Sequence, residues 1–218
     1  RRYLEFAGYD VKFVMNITDV DDKTIKNSRK ERISLQEFTQ RYEKAFFEDL
    51  AKLRIKPASV YPRATEHINE MITLINDLLK RGFAYISNDG VYFDISKFKN
   101  YGQLSKIDVA ALKAGERVKK DEYTKENVQD FALWKAWSAD DGDVFWNASF
   151  AGTAMKGRPG WHIECSAMSA KHLKTPIDIH GGGIDLIFPH HENEIAQCSG
   201  NFVRCWVHCD HLLVNGQK

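Results

Sequence analysis

Apolar residues along this chain recur at two spacings, and the switches between them mark the elements. Arg1 to Gly8 reads as the last turns of an amphipathic helix closed by Gly8. Val11 to Asn16 is a β-forming stretch that ends at the polar run Ile17-Thr-Asp-Val-Asp-Asp-Lys23. That run is expected to be a loop at the carboxyl end of a strand, where open parallel sheets place ligands. Ser34 is placed to cap a helix with Glu37 in the capping-box position, and Phe38, Tyr42, Phe46 and Leu50 form a stripe expected to face the core. A second helix is predicted from Thr65 to Arg81, with Ile68, Met71, Ile72, Ile75, Leu78 and Leu79 on one face and Gly82 at its end. Period-two residues on either side of Asn88-Asp-Gly90 predict a β-hairpin over 83–95. From Ser96 to about Asp130 the chain is polar, and its charged run Lys119 to Glu126 reads as a solvated insertion rather than a nucleic-acid patch. Phe131 to Trp137 restores apolar character, and Ser138 to Lys156 is expected to be a loop. Ile177 to His180 is a short strand leading into a Gly181-Gly-Gly183 turn. A last strand is read around Val203 to Val214, and Asn215-Gly216 looks like a turn.

Composition narrows the class. The chain has 218 residues, 43% hydrophobic and 12% aromatic, enough to bury a core in one large or two modest domains. Its 31 basic and 30 acidic residues give a net charge of +1, so any contact with a polyanion has to be local. Four cysteines at 165, 198, 205 and 209 do not form a disulfide framework and suit a reducing, cytoplasmic compartment. No segment is long and apolar enough to cross a membrane, and the amino terminus lacks a signal-peptide pattern. The opening half-helix and the closing turn make the sequence look like the middle of something larger.

Two linked segments carry the candidate chemistry, Gly157-Arg-Pro-Gly-Trp-His-Ile-Glu-Cys165 and His180-Gly-Gly-Gly-Ile-Asp185 through His190-His-Glu-Asn-Glu194. Cys165, His190 and Glu194 supply thiolate, imidazole and carboxylate, the ligand types of Zn2+, and the last two share a helix face if Pro189 opens the helix. His191 is an alternative ligand, and Glu192 is expected to point toward solvent. A structural cysteine beside an ordinary helix start is the competing interpretation. Cys205, His208, Cys209 and His211 form a rival metal set, but strand alternation would split His208 from Cys209 and His211. Cys198 reads as a small buried hydrophobe. Glycines 181 to 183 would allow a nucleotide close to the backbone, and Asp185 could accept hydrogen bonds from ribose or ammonium. The spacing matches neither a dinucleotide fingerprint nor a P-loop.

Four blocks in order, Asn16 to Lys23, Asp130 to Lys135, Gly157 to Met168 and His180 to Gln197, closely resemble cysteinyl-tRNA synthetase. The resemblance implies an α/β fold, a Rossmann-like parallel sheet of a class I synthetase catalytic domain interrupted by an α+β connective insertion. Residues 1–80 would be the first part of the catalytic domain, 81–156 the insertion and 157–218 the second part, ending at the start of a Lys-Met-Ser-Lys-Ser-type loop. Cys165, His190 and Glu194 would be three of four zinc ligands, the fourth being a cysteine upstream of Arg1. Thr18, Trp161, His180 and Asp185 would line the amino-acid pocket, Gly181, Gly182 and Gly183 would meet the adenylate, and Lys218 would be the first lysine of the phosphate-binding loop. The implied substrates are L-cysteine, ATP with Mg2+, and tRNA(Cys), on a monomeric protein with no membrane partner. A ligase joining cysteine to an amino-sugar, or a non-catalytic zinc-binding fragment, are the alternatives on the same scaffold.

Overall fold

A computed structural model describes residues 1–107 and 130–216. The charged run 119–126 and Lys218 therefore lie outside the described residues. The first helix, α1 (Arg2–Phe6), is short and buries none of its residues. The chain then runs extended through 13–17 and pairs in parallel with 59–64. The Met15 N–H donates to the Val60 carbonyl at 3.2 Å and the Ile17 N–H to the Pro62 carbonyl at 2.8 Å.

The polar run that follows is a loop only as far as Asp21. Asp21 accepts from the Thr24 N–H while its own N–H donates to Thr24 Oγ1 at 2.8 Å, a reciprocal cap that starts α2 (Asp22–Glu31). Ser34 caps α3 (Leu35–Lys52), its hydroxyl accepting from the Glu37 N–H at 3.1 Å. The α3 stripe does not face the core as expected. Only Phe38 is buried, while Tyr42 is 57% and Phe46 38% exposed. Periodicity defines a face but not what covers it; a different face of the helix, with Leu35, Thr39, Glu43 and Phe47, borders a cleft of about 960 Å³.

Helix α4 (Ile68–Lys80) buries Ile68, Met71, Ile75 and Leu78, as its spacing predicted. These side chains join one cluster with Val91, Phe93, Phe131, Leu133, Trp134 and Phe150 from a sheet and Ile163 and Met168 from a later helix. The sheet comprises β1 (Ala84–Ser87), β2 (Gly90–Phe93), β3 (Phe131–Ala136), β4 (Trp146–Phe150) and β5 (Thr153–Pro159), in the order β1-β2-β3-β5-β4. The expected loop over 138–156 is thus largely a hairpin. Its strands β4 and β5 pair from Trp146–Gly157 to Phe150–Thr153 around Ala151 and Gly152, both at positive φ.

The five-stranded sheet is antiparallel throughout and lies almost wholly within 81–156, the stretch expected as the α+β insertion; a continuous Rossmann-like parallel sheet is not seen among the described residues. Hairpins need only short turns, whereas each parallel pairing needs a crossover. Among the described residues, parallel pairing is confined to the 13–17/59–64 contact and to β6 (Ile177–Gly183) with β7 (Val203–Cys209). Between α5 (Trp161–His172) and β7 come β6, an irregular turn Ile187–His191 in which Phe188 is extended, and α6 (Glu192–Gln197). The glycines expected as a turn instead continue β6 to Gly183, each paired with β7, and none has positive φ. Among the described residues, no helix is long and apolar enough to cross a membrane.

Candidate metal and substrate site

The approach to the site depends on two glycines of the Gly-Arg-Pro-Gly run. A Cβ on Gly157 would lie 2.1 Å from the Lys135 carbonyl oxygen, and one on Gly160 would lie 2.1 Å from that of Ala132. Only glycine lets the end of β5 cross β3 this closely and start α5 at Trp161. Residues four apart on a helix share a face, so Trp161 and Cys165 project together. Behind them Arg158 is fixed by Asp141, at 2.8 Å from Nε, and by Asp22 of α2.

Cys165 on α5 meets His190 and Glu194 from the turn and helix after β6. One ligand atom from each lies within 4.8 Å of the others. His190 and Glu194 are almost fully buried, and neither carboxylate oxygen of Glu194 has a hydrogen-bond partner. A buried carboxylate with both oxygens unpartnered is costly in an isolated protein and calls for an explanation. Burial holds the Glu194 carboxyl well above its ordinary value, and burial, then the carboxylates of Glu194 and Glu164, raise the Cys165 thiol in the same way. Burial, followed by His162 and His180, lowers His190, so its imidazole is neutral with a lone pair to give. A divalent cation would reverse the first two effects and use the third. The donor set of one thiolate, one imidazole and one carboxylate suits Zn2+.

Several aromatic and imidazole side chains complete the surroundings. His190 Nδ1 lies 2.9 Å from His162 Nδ1, which orients the ring so that Nε2 faces Glu194 Oε1 at 3.9 Å. Partners of this kind tune a ligand and fix its tautomer. His180 Nε2 is 3.5 Å from Glu194 Oε2, and His191 Nε2 is 3.9 Å from the same oxygen, so these two imidazoles and Glu194 form a second set of close ligand atoms. Burial and then His208 lower His180 to about 4. Burial, then His180, His190 and His208, lower His191 to about 3. His191 Nδ1 is 2.7 Å from His208 Nε2 of β7.

Sequence reasoning did not assign His162 or His208 to the site. The first was visible between Trp161 and Cys165, but the second comes from a different strand and had no local signal. His208 turns inward to His191 while Cys205 and Cys209 are exposed, so the structure separates the members of the rival set. Glu192, expected in solvent, is instead fully buried.

The remaining predicted residues are placed unevenly. Trp161 is 42% exposed, with its ring 4.3 Å from that of His190, so it walls the metal-ligand set on the open side. Asp185 is half exposed beyond β6, 3.7 Å from His211 Nε2. Thr18 accepts a long hydrogen bond from Asn16 at 3.4 Å, and its neighbour Asp19 lies close enough to raise the Glu164 carboxyl, after the larger effect of burial. Gly182 leaves space for the His191 ring, since an added Cβ would lie 2.7 Å from Cε1.

The chain belongs to the family described as tRNA synthetases class I (C) catalytic domain, which matches residues 1–218. Its similarity extends to particular curated proteins, each named cysteine--tRNA ligase. The Brachyspira hyodysenteriae protein is 56% identical over 224 residues, covering 100% of this chain and 46% of its own length. The Chlamydia pneumoniae protein is 52% identical with the same coverage, and the Methanococcus maripaludis protein 50% identical over 222 residues, covering 100% and 45%. The chain therefore spans less than half the length of these relatives.

Proposed function

We propose that this chain is the central part of the catalytic domain of an enzyme that activates L-cysteine with ATP and transfers it to tRNA(Cys). The observation that carries the reading is the buried, unpartnered Glu194 carboxylate facing Cys165 and His190. Family membership and the names of the relatives support the reaction class.

In the activation step, with Mg2+ on the triphosphate, the cysteine carboxylate attacks the α-phosphorus of ATP. Pyrophosphate leaves and cysteinyl-adenylate forms. In the transfer step a terminal ribose hydroxyl of the tRNA attacks the carbonyl carbon, and AMP leaves as the ester forms. Cys165, His190 and Glu194 are the residues that would hold Zn2+. When bound, the ion supplies a Lewis acid that favours a substrate thiol as its thiolate over the far less acidic hydroxyl of serine. Selection by a strong interaction that the competitor lacks reaches on the order of 10⁴, against about 10² for a methylene-sized difference. Trp161 and His180 wall the space beside these ligands, and Thr18 and Asp185 are assigned to the rest of the amino-acid pocket. The strand-end glycines 181 to 183 offer backbone to the adenylate, and Lys218 is assigned to the phosphates. Rate enhancement would come from positioning and charge stabilisation rather than from a side-chain nucleophile.

Cysteine-dependent ATP–pyrophosphate exchange by the full-length protein, with serine as control, tests the reading. Exchange with cysteine and at least about 10³ less with serine is expected. Equal exchange with both amino acids, or none with either, would overturn it.

A further inference from the structure

Glu192 lies between two of the metal-ligand residues, yet it faces neither the metal-ligand set nor solvent. It is 0% exposed, and its carboxylate accepts hydrogen bonds from the Gly102 N–H at 3.0 Å, the Ser105 N–H at 2.7 Å and the Ser105 hydroxyl at 3.1 Å. The next residue repeats the pattern, because the Tyr101 hydroxyl donates to Asn193 Oδ1. Both Tyr101 and Asn193 are buried. Two successive side chains therefore grip one turn, 101–105, from about 90 residues away in the chain.

The grip falls where the backbone cannot hold itself. His190 lies in an irregular turn in which Phe188 is extended (φ −133°, ψ 132°), and Glu194 is on a helix of only six residues. A helix this short has little stability of its own, so the relative placement of His190 and Glu194 needs outside contacts. On the other side the turn is shaped to receive an anion. Gly102 at φ +92° bends the chain, and the two N–H groups, of Gly102 and Ser105, converge on one carboxylate. A charge-assisted bond to backbone N–H is among the stronger hydrogen bonds, and three on one carboxylate form a rigid anchor.

We propose that Glu192, with Asn193 beside it, is a positioning residue that ties the turn 101–105 to the segment bearing His190 and Glu194 and so sets the geometry of the metal and cysteine-thiol site. This rests on the function proposed above for Cys165, His190 and Glu194. Glu192 touches neither metal nor substrate. It acts through the backbone of its own turn of helix, and its influence enters from a part of the chain remote from the ligands in sequence.

The test uses the full-length protein and three variants, Glu192→Gln, Ser105→Ala and Tyr101→Phe, with zinc affinity read by competition with a chromophoric chelator and ligand geometry read from the Co2+ spectrum. In Glu192→Gln an amide N–H₂ replaces one acceptor, so a donor faces a donor. Zinc binding is expected to weaken about tenfold or more and KM for cysteine to rise, with KM for ATP unchanged. Ser105→Ala and Tyr101→Phe, which contact no ligand, are expected to weaken zinc by about threefold each, with a shifted Co2+ spectrum. Ser105→Ala should add nothing further in the Glu192→Gln background. Wild-type zinc affinity and Co2+ spectrum in both Ser105→Ala and Tyr101→Phe, whatever happens to melting temperature, would overturn the proposal even if Glu192→Gln fails to fold. If the wild-type protein shows no cysteine-dependent exchange, the functional reading fails, while the zinc competition still decides the role of Glu192.

Discussion

Glycines 181, 182 and 183 are identical in sequence and differ in their surroundings. A Cβ on Gly181 would meet only the Val207 carbonyl at an ordinary 3.7 Å, while one on Gly182 would press on the His191 ring at 2.7 Å and on Leu186 at 3.0 Å. On Gly183 the nearest obstacle is the tip of the half-exposed Asp185 side chain, at 2.4 Å from the added Cβ. Gly182→Ala is therefore expected to cost about 1–3 kcal/mol, because His191 is buried and held by His208 and cannot yield. Gly181→Ala should leave stability within about 0.5 kcal/mol of wild type. Urea denaturation of the two variants checks the contrast, and equal losses would refute it. If the adenylate approaches the backbone at Gly181 as proposed, the same Gly181→Ala variant should raise KM for ATP. The sequence showed that glycine was wanted here but not which of the three is indispensable, because the neighbour that decides it, His191, comes from a later turn.

Among elements, the informative junction is the one that joins α2, β3 and β5. Arg158 of β5 reaches Asp22 at the start of α2 and Asp141 between β3 and β4, while Lys135 of β3 also binds Asp22 at 2.8 Å. Burial alone would raise the Asp22 carboxyl, but Lys135 and Arg158 outweigh it and hold it below its ordinary value. Arg158 and Asp141 are nearly buried, so removing the guanidinium would leave the Asp141 Oδ1 without its partner in a buried setting, whereas the largely exposed Asp22 would keep Lys135. Arg158→Met is expected to lose about 3–5 kcal/mol in urea denaturation. Arg158→Lys should recover only part of that, since one ammonium cannot reproduce a fork that serves two acids. A loss below about 1 kcal/mol in Arg158→Met would show the network to be dispensable. Helix α4, the 83–95 hairpin and the Ser34 cap were readable because their signals are local. The β4–β5 hairpin was not, because Trp146 to Pro159 lacks the dipeptides that announce a tight turn, and Ala151 takes its positive φ without being glycine.

At the scale of the whole molecule, His67 and His172 join the two sides of the chain, with His67 Nε2 2.8 Å from His172 Nε2 and His67 Nδ1 2.7 Å from the Arg63 carbonyl. Burial, then His67 and nearby lysines, lower the His172 value. The sign follows from linkage: the unfolded chain protonates first, so stability is full above the unfolded value of about 6.5 and falls as pH drops below it toward the folded value. Denaturation from about pH 8 to about pH 5.5 should show this decline, and His172→Gln should reduce the slope. An unchanged slope would remove His172 from the account. By itself the sequence determined the helices with a regular apolar stripe, the caps and the donor types at Cys165, His190 and Glu194, because each depends on residues near one another in the chain. Only the tertiary structure decided that the main sheet is antiparallel, that the α3 stripe lies largely open, and that Glu192 is buried against a turn from residues 101–105. Those facts depend on which distant segment covers a given face, and a period of two or 3.6 residues carries no information about that partner.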